Sequence, residues 1–442
     1  TSSASSKLIH GGLRYLEQYE FRLVAEALAE REILLRCAPH LVHPMRFVMP
    51  HVPELRPAWM IRVGLVLYDY LARRQTLPGS HGINLKQAPY SAGLKPGLRK
   101  GFIYSDCRVD DARLVLANAL SARELGADIL TRTECVSAKR GADGWQTRLR
   151  PTHGAERTVF ARGIVNAAGP WVKQVLNDRL HQPSRDNVKL VKGSHIVVPK
   201  AYNGEHAFIL QNDDRRVVFM IPYEGVYTLI GTTDVAVDSD LSAPSASAEE
   251  IAYLCRAVSR YLAQPVAPAD VTWSYAGIRP LYDDGTADPS AVTRDYTLRL
   301  DADAGTAPVL SVFGGKITTY RKLAEHALDR RAPWFPGMKV TWTNSMPLPG
   351  GDQIGERRLN WHFAGLQALG AKIKLKNQLI YATCPVLKGG NYTFPEPTHT
   401  GTETLIMAAV LARGKTILKN CALEPEVDDL IAFLTQMGAK IT

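Results

Sequence analysis

The sequence predicts an α/β protein, with a run of antiparallel strands set between helix–strand units and a separate α+β tail. Three observations point there. Glycine-bearing turns at Gly11-Gly12, Ala167-Ala168-Gly169 and Gly314-Gly315 fall where backbone must come close to something flat or phosphorylated. Residues 188–235 read as successive strands, KLVKGSHIVVP, AFILQ, RVVFMIP and VYTLIGTTD, separated by polar turns. After Asp352 the pattern changes to a repeated unit, HFAGLQALGAKI and then DLIAFLTQMGAKI. Each copy is a helix closed by Gly-Ala that enters a strand at Lys-Ile.

The elements follow in order. TSSASSKLIHGGLRYL has neither a helical nor a strand period. It reads as backbone passing a ligand at Gly11 and Gly12 while Ser5, Ser6, Lys7, His10 and Arg14 offer polar groups. It begins at Thr1 rather than an initiator methionine, which reads as a start inside something longer. Residues 17–36 predict an amphipathic helix from Leu23, Ala27, Leu28, Leu34 and Leu35, with Pro39 beyond its end. WMIRVGLVLYDYLA (59–72) predicts a second, broken by Arg62 and Asp69 and flanked by Arg73 and Arg74. It suits either a core or a membrane interface, and the nearby Lys95, Arg99 and Lys100 favour the interface. Asp110 and Asp111 cap a helix over 112–125 that ends near Gly126. Strands are expected near 129–136, 144–150 and at Ile164-Val165, and a helix over 248–263. VLSVFGGKITTYRKLAEHAL (309–328) reads as strand, Gly-Gly turn and helix. The start of that helix, through Thr318 and Thr319, would aim a positive dipole at bound negative charge. A boundary is expected at 348–352.

Composition narrows the function. A length of 442 residues exceeds the roughly 100–200 of one domain. The net charge of +10 suits nucleic acid, an anionic membrane or an anionic substrate. No nucleic-acid motif accompanies it, so no nucleic-acid partner is expected. No apolar run approaches the roughly 20 residues that span a bilayer, and the polar N-terminus lacks the apolar stretch of a signal peptide. The six cysteines are scattered without a CxxC pair or Cys/His ligand spacing. That predicts no metal site, no disulfide framework and a reducing compartment.

Nine segments carry a resemblance: TSSASSKLIHGGLRYLEQYEFRLV, LRPAWMIRVGL, YSDCRVDDARLVLANA, NAAGPWVK, VKGSHIVVP, IGTTDV, AGIRPLYDD, TRDYTL and SVFGGKITTYRKLAEHAL. Through them residues 1–351 resemble the aerobic, FAD-dependent glycerol-3-phosphate dehydrogenases. The resemblance implies a truncated FAD-binding domain of the glutathione-reductase-like, amino-acid-oxidase-like kind, made of residues 1–40, 100–187 and 308–335. An antiparallel-sheet substrate domain, residues 41–99 and 188–307, is interleaved with it. It implies oxidation of sn-glycerol 3-phosphate to dihydroxyacetone phosphate by hydride transfer to FAD, with electrons passed on to quinone. The enzyme would be cytoplasmic, peripheral on the anionic inner face of the cell membrane, with a homodimer left open.

The resemblance also implies roles. Arg14, Tyr15, Arg279 and Arg294 would bind the substrate, since a phosphate dianion takes guanidinium partners. His195 is the first choice for the base that removes the hydroxyl proton, and His10 the second. Lys316 and the helix start after it would stabilise the reduced flavin. Cofactor contacts fall to Ser5, Ser6, Lys7, Leu8, Gly11, Gly12, Ala168, Gly169, Gly314, Gly315, Lys316 and Thr318. No GxGxxG occurs in the sequence, so the family's first βαβ unit and its pyrophosphate cradle are expected to be missing.

The tail resembles another family. LPGGDQIGERRLNWHFAGLQALGAKI and THTGTETLIMAAVLARGKTILKNCALEPEVDDLIAFLTQMGAKI are similar to parts of UDP-N-acetylglucosamine 1-carboxyvinyltransferase, an inside-out barrel of α/β repeats. Residues 348–442 would be a fragment of it. Asp352 stands where that family carries Cys or, in some members, Asp. Arg357 matches its phosphoenolpyruvate-binding arginine, and Gly401 falls in its nucleotide-sugar phosphate turn. Asn360 departs from its usual Asp, and its other substrate contacts lie outside the fragment, so no transferase activity is expected. LPGG belongs to both families, so the join reads as a splice of two coding sequences. Two other readings stand beside the dehydrogenase: another flavin amine or amino-acid oxidase, which needs a carboxylate site, and a non-catalytic fusion that binds neither cofactor nor substrate.

Overall fold

The computed structural model describes residues 2–184, 186–214, 216–237, 243–283, 295–302, 306–337, 341–351, 359–376 and 379–442. The chain divides into two compact units, Thr1–Gly351 and Asp352–Thr442.

The first unit opens with β1 (Leu8–Ile9) and a 3-10 turn (Leu13–Gln18) that leads into α1 (Phe21–Cys37). The helix expected from residue 17 starts four residues later, because Tyr19 takes a left-handed φ of 59° that closes the 3-10 turn first. β2 (Val42–Pro50), α2 (Ala58–Tyr70), β3 (His81–Asn84), β4 (Lys100–Val109) and α3 (Asp111–Glu124) follow. Asp110 caps α3 as expected, accepting the Arg113 N–H. β5 (Thr133–Arg140), β6 (Trp145–Pro151) and β7 (Arg157–Ala161) form a three-stranded antiparallel sheet. β8 (Ile164–Asn166) runs through a 3-10 turn (Gly169–Trp171) into the short α4 (Val172–Gln174). Next come β9 (Val188–Pro199), β10 (Ala207–Gln211), β11 (Val217–Tyr223), β12 (Tyr227–Gly231), β13 (Val235–Ala236) and α5 (Ala248–Ser259). β14 (Trp273–Tyr282), β15 (Thr297–Asp301), β16 (Val309–Phe313) and α6 (Tyr320–Arg331) complete the unit.

Ten strands form one sheet in the order β1-β4-β2-β10-β11-β12-β9-β13, with β14 also on β9 and β3 also on β4. The pairs are antiparallel except β10 beside β2. The domain border expected at residue 100 falls inside this sheet. β4 pairs with β2 from Val42↔Val109 to Pro50↔Gly101, and β1 pairs with β4. β4 is buried along most of its length, so its backbone groups need strand partners, and β1, β2 and β3 supply them.

Alternation along the strands builds a core on each face of the sheet. Val48, Ile103, Ile196, Phe208, Met220 and Ile230 meet Leu254 and Val258 of α5. On the other face Phe47, Tyr104 and Ile209 meet Val24 and Leu28 of α1 and Ile61, Leu65 and Tyr68 of α2. A smaller sheet, β15-β16-β8, sets β16 parallel to β8.

The second unit contains α7 (Asn360–Ala368), β17 (Lys372–Lys376), β18 (Leu379–Thr383), β19 (Asn391–Thr393), α8 (His399–Val410), β20 (Ile417–Lys419) and α9 (Pro425–Gln436). In both repeats a left-handed glycine, Gly370 (φ 95°) or Gly438 (φ 100°), follows the helix. Only the first continues into the expected strand. β17 has β18 to pair with, whereas residues 439–442 carry no strand and pair with none among the described residues. Asp352 and Arg357 lie outside the described residues. Gly401 sits in the first turn of α8, its N–H donated to the Thr398 side chain at 3.4 Å.

Candidate active site

β9 and β14 carry His195, Tyr275 and Arg279. Their antiparallel register sets Tyr275 opposite His195, Gly277 opposite Gly193 and Arg279 opposite Val191. Because side chains alternate along a strand, His195, Tyr275 and Arg279 share one face, and the two glycines leave bare backbone between them. A Cβ at Gly193 would lie 2.5 Å from Arg279 Nη2, and one at Gly277 2.9 Å from the Ala4 carbonyl. The opposite face carries Lys192 and Ser194, which reach Glu250 of α5.

The His195 ring stacks on Tyr275 with centroids 4.8 Å apart and planes 10° from parallel. Tyr275 donates its hydroxyl to the Ser5 carbonyl (2.8 Å), and Ser6 Oγ lies 2.9 Å from His195 Nε2. His195 Nδ1 is buried, with no hydrogen-bond partner among the described residues. Burial, then the charges of Arg279 and Lys7, lower the imidazole from its ordinary value to about 3.

Arg14 and Arg279, distant in sequence, converge on one carboxylate. Arg279 Nη2 lies 2.8 Å from Asp234 Oδ1 and donates to the Thr233 carbonyl at 2.6 Å. Arg14 Nη1 lies 3.9 Å from Asp234 Oδ2. The Asp234 segment is clasped from behind. Thr233 Oγ1 donates to Glu250 Oε1 (2.7 Å) and accepts the Ser194 N–H (2.9 Å). Glu250 is the capping-box glutamate of α5. Burial raises its carboxyl, but donors from Ser247, Lys192, Thr233 and Ser194 outweigh burial and hold it below the usual range. Arg294, the third expected arginine, lies outside the described residues.

The glycine turns gather beside this face. Gly12 and Gly314 both have φ 79° and Gly315 has φ 110°. A Cβ at Gly12 would meet the Tyr15 ring at 2.3 Å and Lys316 Nζ at 3.5 Å, and that ammonium sits 3.8 Å from the Tyr15 ring centre. Thr318 Oγ1 accepts the His10 N–H at 3.2 Å. The Ala168-Gly169 and Gly314-Gly315 turns leave the carboxyl ends of the parallel pair β8 and β16. Ligands of α/β sheets bind beyond that edge. Gly314 lies close to β14, a Cβ there being 3.6 Å from the Tyr282 nitrogen.

Other predicted contact residues have partners inside the protein. Ser5 Oγ and Lys7 Nζ both bind Asp111, at 2.7 and 2.8 Å, and Leu8 is in the core. His10 falls to about 3 through burial, Lys316 and Arg31. Beneath the Gly11-Gly12 turn, Asp106 accepts from Arg31 Nη1 (2.6 Å) and from the Tyr68 hydroxyl (2.8 Å). Tyr68 in turn accepts the Gly11 N–H at 2.8 Å. Burial raises Asp106 above the usual carboxylate range although Arg31 pulls it down. Sequence reasoning missed Asp234, Thr233, Tyr275 and Glu250. One signal was present, a glycine two residues before both the histidine (Gly193-Ser194-His195) and the arginine (Gly277-Ile278-Arg279).

This fold and site define a flavin-type oxidoreductase. The family model described as FAD dependent oxidoreductase matches residues 1–321, and the chain belongs to that family. Within it, the chain is 57% identical over 354 residues to a glycerol-3-phosphate dehydrogenase of Pseudomonas aeruginosa, covering 80% of this chain and 69% of the relative. It is 54% identical to a D-erythritol 1-phosphate dehydrogenase of Brucella abortus, covering 80% and 70%. The crystal structure of the glycerol-3-phosphate dehydrogenase from Bacillus halodurans complexed with FAD superposes with a TM-score of 0.62 at 26% identity. The match covers 83% of this chain and 65% of that one, just under two thirds of its length. The family model for EPSP synthase (3-phosphoshikimate 1-carboxyvinyltransferase) matches residues 335–442, in agreement with the tail's enolpyruvyl-transferase resemblance.

The residues present fit the ring end of FAD. Gly12, Gly314 and Gly315 take positive φ in turns where a Cβ would strike Tyr15, the Asp295 carbonyl and Leu323, which keeps these turns as bare backbone, and Lys316 with the start of α6 offers positive charge. For the dinucleotide end, the sequence contains no GxGxxG.

Proposed function

We propose that this chain oxidises the C2 hydroxyl of sn-glycerol 3-phosphate to the ketone of dihydroxyacetone phosphate. The observation that carries this is the convergence of Arg14 and Arg279 on one anionic position, on the sheet that also presents His195. The two guanidinium groups hold the phosphoryl group. His195 is neutral at working pH and has one lone pair to take the hydroxyl proton. A phosphate dianion beside Arg279 offsets part of the charge that weakens this base, so it is strongest when substrate is in place. When bound, FAD supplies the hydride acceptor. Gly12, Gly314 and Gly315 would hold its ring, and Lys316 with the start of α6 would stabilise negative charge there.

Membrane contact and electron transfer to quinone belong to the same reading. α2 exposes Trp59, Met60, Val63, Val66, Leu67 and Tyr70 at helical spacing while burying Ile61, Leu65 and Tyr68. Arg73, Arg74, Arg99 and Lys100 lie in the segments around it. Among the described residues no helix is long and apolar enough to cross a membrane. The stripe suits peripheral docking on an anionic inner leaflet, where quinone is available. The tail, in this reading, has no transferase role.

The test is to add FAD to the purified chain and record the flavin spectrum with glycerol 3-phosphate, D-erythritol 1-phosphate, glycine and L-proline. Bleaching fastest with glycerol 3-phosphate supports the assignment. Preference for the longer polyol phosphate moves the substrate, bleaching by amino acids alone moves the enzyme to the oxidases, and failure to retain flavin refutes catalysis by this chain.

A further inference from the structure

His195 lies on a strand paired on both sides, so it has two cross-strand neighbours on its own face, Gly231 of β12 and Tyr275 of β14. The glycine yields its space to the imidazole, since a Cβ there would lie 2.1 Å from His195 Cδ2. The tyrosine closes the other side. Its ring centre is 4.8 Å away and its plane 10° from parallel, so the two rings stand about one strand spacing apart. The Tyr275 hydroxyl donates to the Ser5 carbonyl at 2.8 Å, and the next residue, Ser6, sets Oγ 2.9 Å from His195 Nε2. We propose that Tyr275 is the positioning residue of His195: its ring fixes the plane of the imidazole, and its hydroxyl, through Ser5, fixes the serine hydroxyl that faces Nε2. The proposal rests on reading His195 as the base.

A histidine base needs a third group to orient it, commonly a hydrogen-bonded carboxylate or backbone carbonyl. Among the described residues neither bonds this ring: Nε2 meets Ser6, and Nδ1 has no partner. The stack takes over the orienting role. It also bears on charge. As hydride leaves C2 for the flavin, the hydroxyl proton passes to His195 and the imidazole becomes a cation. The neighbouring charges of Arg279 and Lys7 oppose that cation. An aromatic face favours it, and more strongly where water is excluded. Tyr275 itself stays neutral, because burial, then the charge of Asp111, pushes its hydroxyl far above the ordinary tyrosine range. It therefore keeps the proton that it donates to Ser5.

The test compares Tyr275→Leu and Tyr275→Met, which remove the ring, with Tyr275→Phe, which removes only the Ser5 anchor. Circular dichroism melts report whether each variant is folded. The first readout needs no flavin. It is nitrogen NMR of the full chain labelled at its histidines, the His195 signals being those lost in His195→Asn. The unaltered chain should show two well-separated ring nitrogens, the mark of one fixed tautomer. In the folded ringless variants they should converge as the tautomers exchange, and Tyr275→Phe should fall between. The second readout is glycerol 3-phosphate oxidation by the flavin-loaded chain. Without the ring, kcat should fall about tenfold while KM stays within about twofold, since the arginines are untouched, and Tyr275→Phe should recover most of the loss. Separated nitrogens or an unchanged kcat in a folded ringless variant overturns the proposal and leaves His195 as the base. A His195→Asn chain as active as the unaltered one overturns the base and the proposal together. A chain that retains no flavin fails the catalytic reading, and the nitrogen signals then decide the positioning.

Discussion

Replacing Tyr68 with phenylalanine should loosen the Gly11-Gly12 turn from below. The Tyr68 hydroxyl is buried, accepts the Gly11 N–H at 2.8 Å and donates to Asp106 at 2.8 Å. Phenylalanine keeps the ring and removes both bonds. The Gly11 N–H is left with Asp106 Oδ1 at 3.4 Å, and Asp106 keeps Arg31 at 2.6 Å. An unsatisfied buried donor costs about 1–3 kcal/mol, and a hydrogen bond to a charged group is worth about 1.5–3 kcal/mol. Partial recapture of Gly11 by Asp106 brings the expected loss to about 2–4 kcal/mol. With a urea slope of about 3 kcal/mol per molar, the midpoint should fall by about 1 M. The assay is a urea titration followed by tryptophan fluorescence, repeated with Asp106→Asn and the double variant. The two side chains should be coupled by about 1–2 kcal/mol. A fall below about 0.2 M, the size of an exposed substitution, would show that the network does not support the turn.

Three further outcomes follow from the site. Arg279→Lys loses the planar fork that serves Thr233 and Asp234, so kcat/KM for glycerol 3-phosphate should fall by about 10–100-fold, mostly through KM; an unchanged KM refutes its phosphate role. Val63→Glu with Val66→Glu should leave the urea midpoint within about 0.2 M and sharply reduce co-sedimentation with phosphatidylglycerol vesicles; undiminished sedimentation removes α2 from the membrane reading. Acid should destabilise the fold through its buried histidines. Burial keeps His195 neutral down to about 3, while the unfolded chain's imidazole protonates near 6.5, so the unfolded state binds the extra proton in between. His195 thus contributes on the order of 4 kcal/mol above that window, and the contribution is lost progressively as pH falls through it. His206, lowered by burial to about 4, acts in the same direction. His195→Asn should show a shallower loss of stability between pH 6.5 and 4, and an identical slope would contradict the neutral imidazole.

Local patterns were legible where one element decides its own fate. The apolar spacing of α1 and α2, the Asp110 cap and the strand–glycine–helix run at β16 and α6 came straight from side-chain chemistry. What depends on distant partners was not. FIYSDC marks β4 as buried but does not say that β2 will be its neighbour, so a sheet that runs across residue 100 could not be read from it. Asp234 at a strand end reads as an ordinary turn residue, and only the fold shows two arginines meeting on it. The second Lys-Ile of the tail has the same letters as the first, yet a strand needs a neighbour to bond with. Thr398, three residues before Gly401, is a helix-capping residue type, and it caps α8 so that Gly401 falls in the helix's first turn.

The paired glycines at 193 and 277 have a bearing on protein engineering. Alanine at 193 would drive its methyl into the Arg279 guanidinium, and alanine at 277 would strike the Ala4 backbone. A methyl at either glycine would therefore displace the Arg279 head or the backbone at Ala4, which this face of the sheet depends on. A mutant library seeking bulkier polyol phosphates should keep both glycine codons fixed and randomise the surrounding loops.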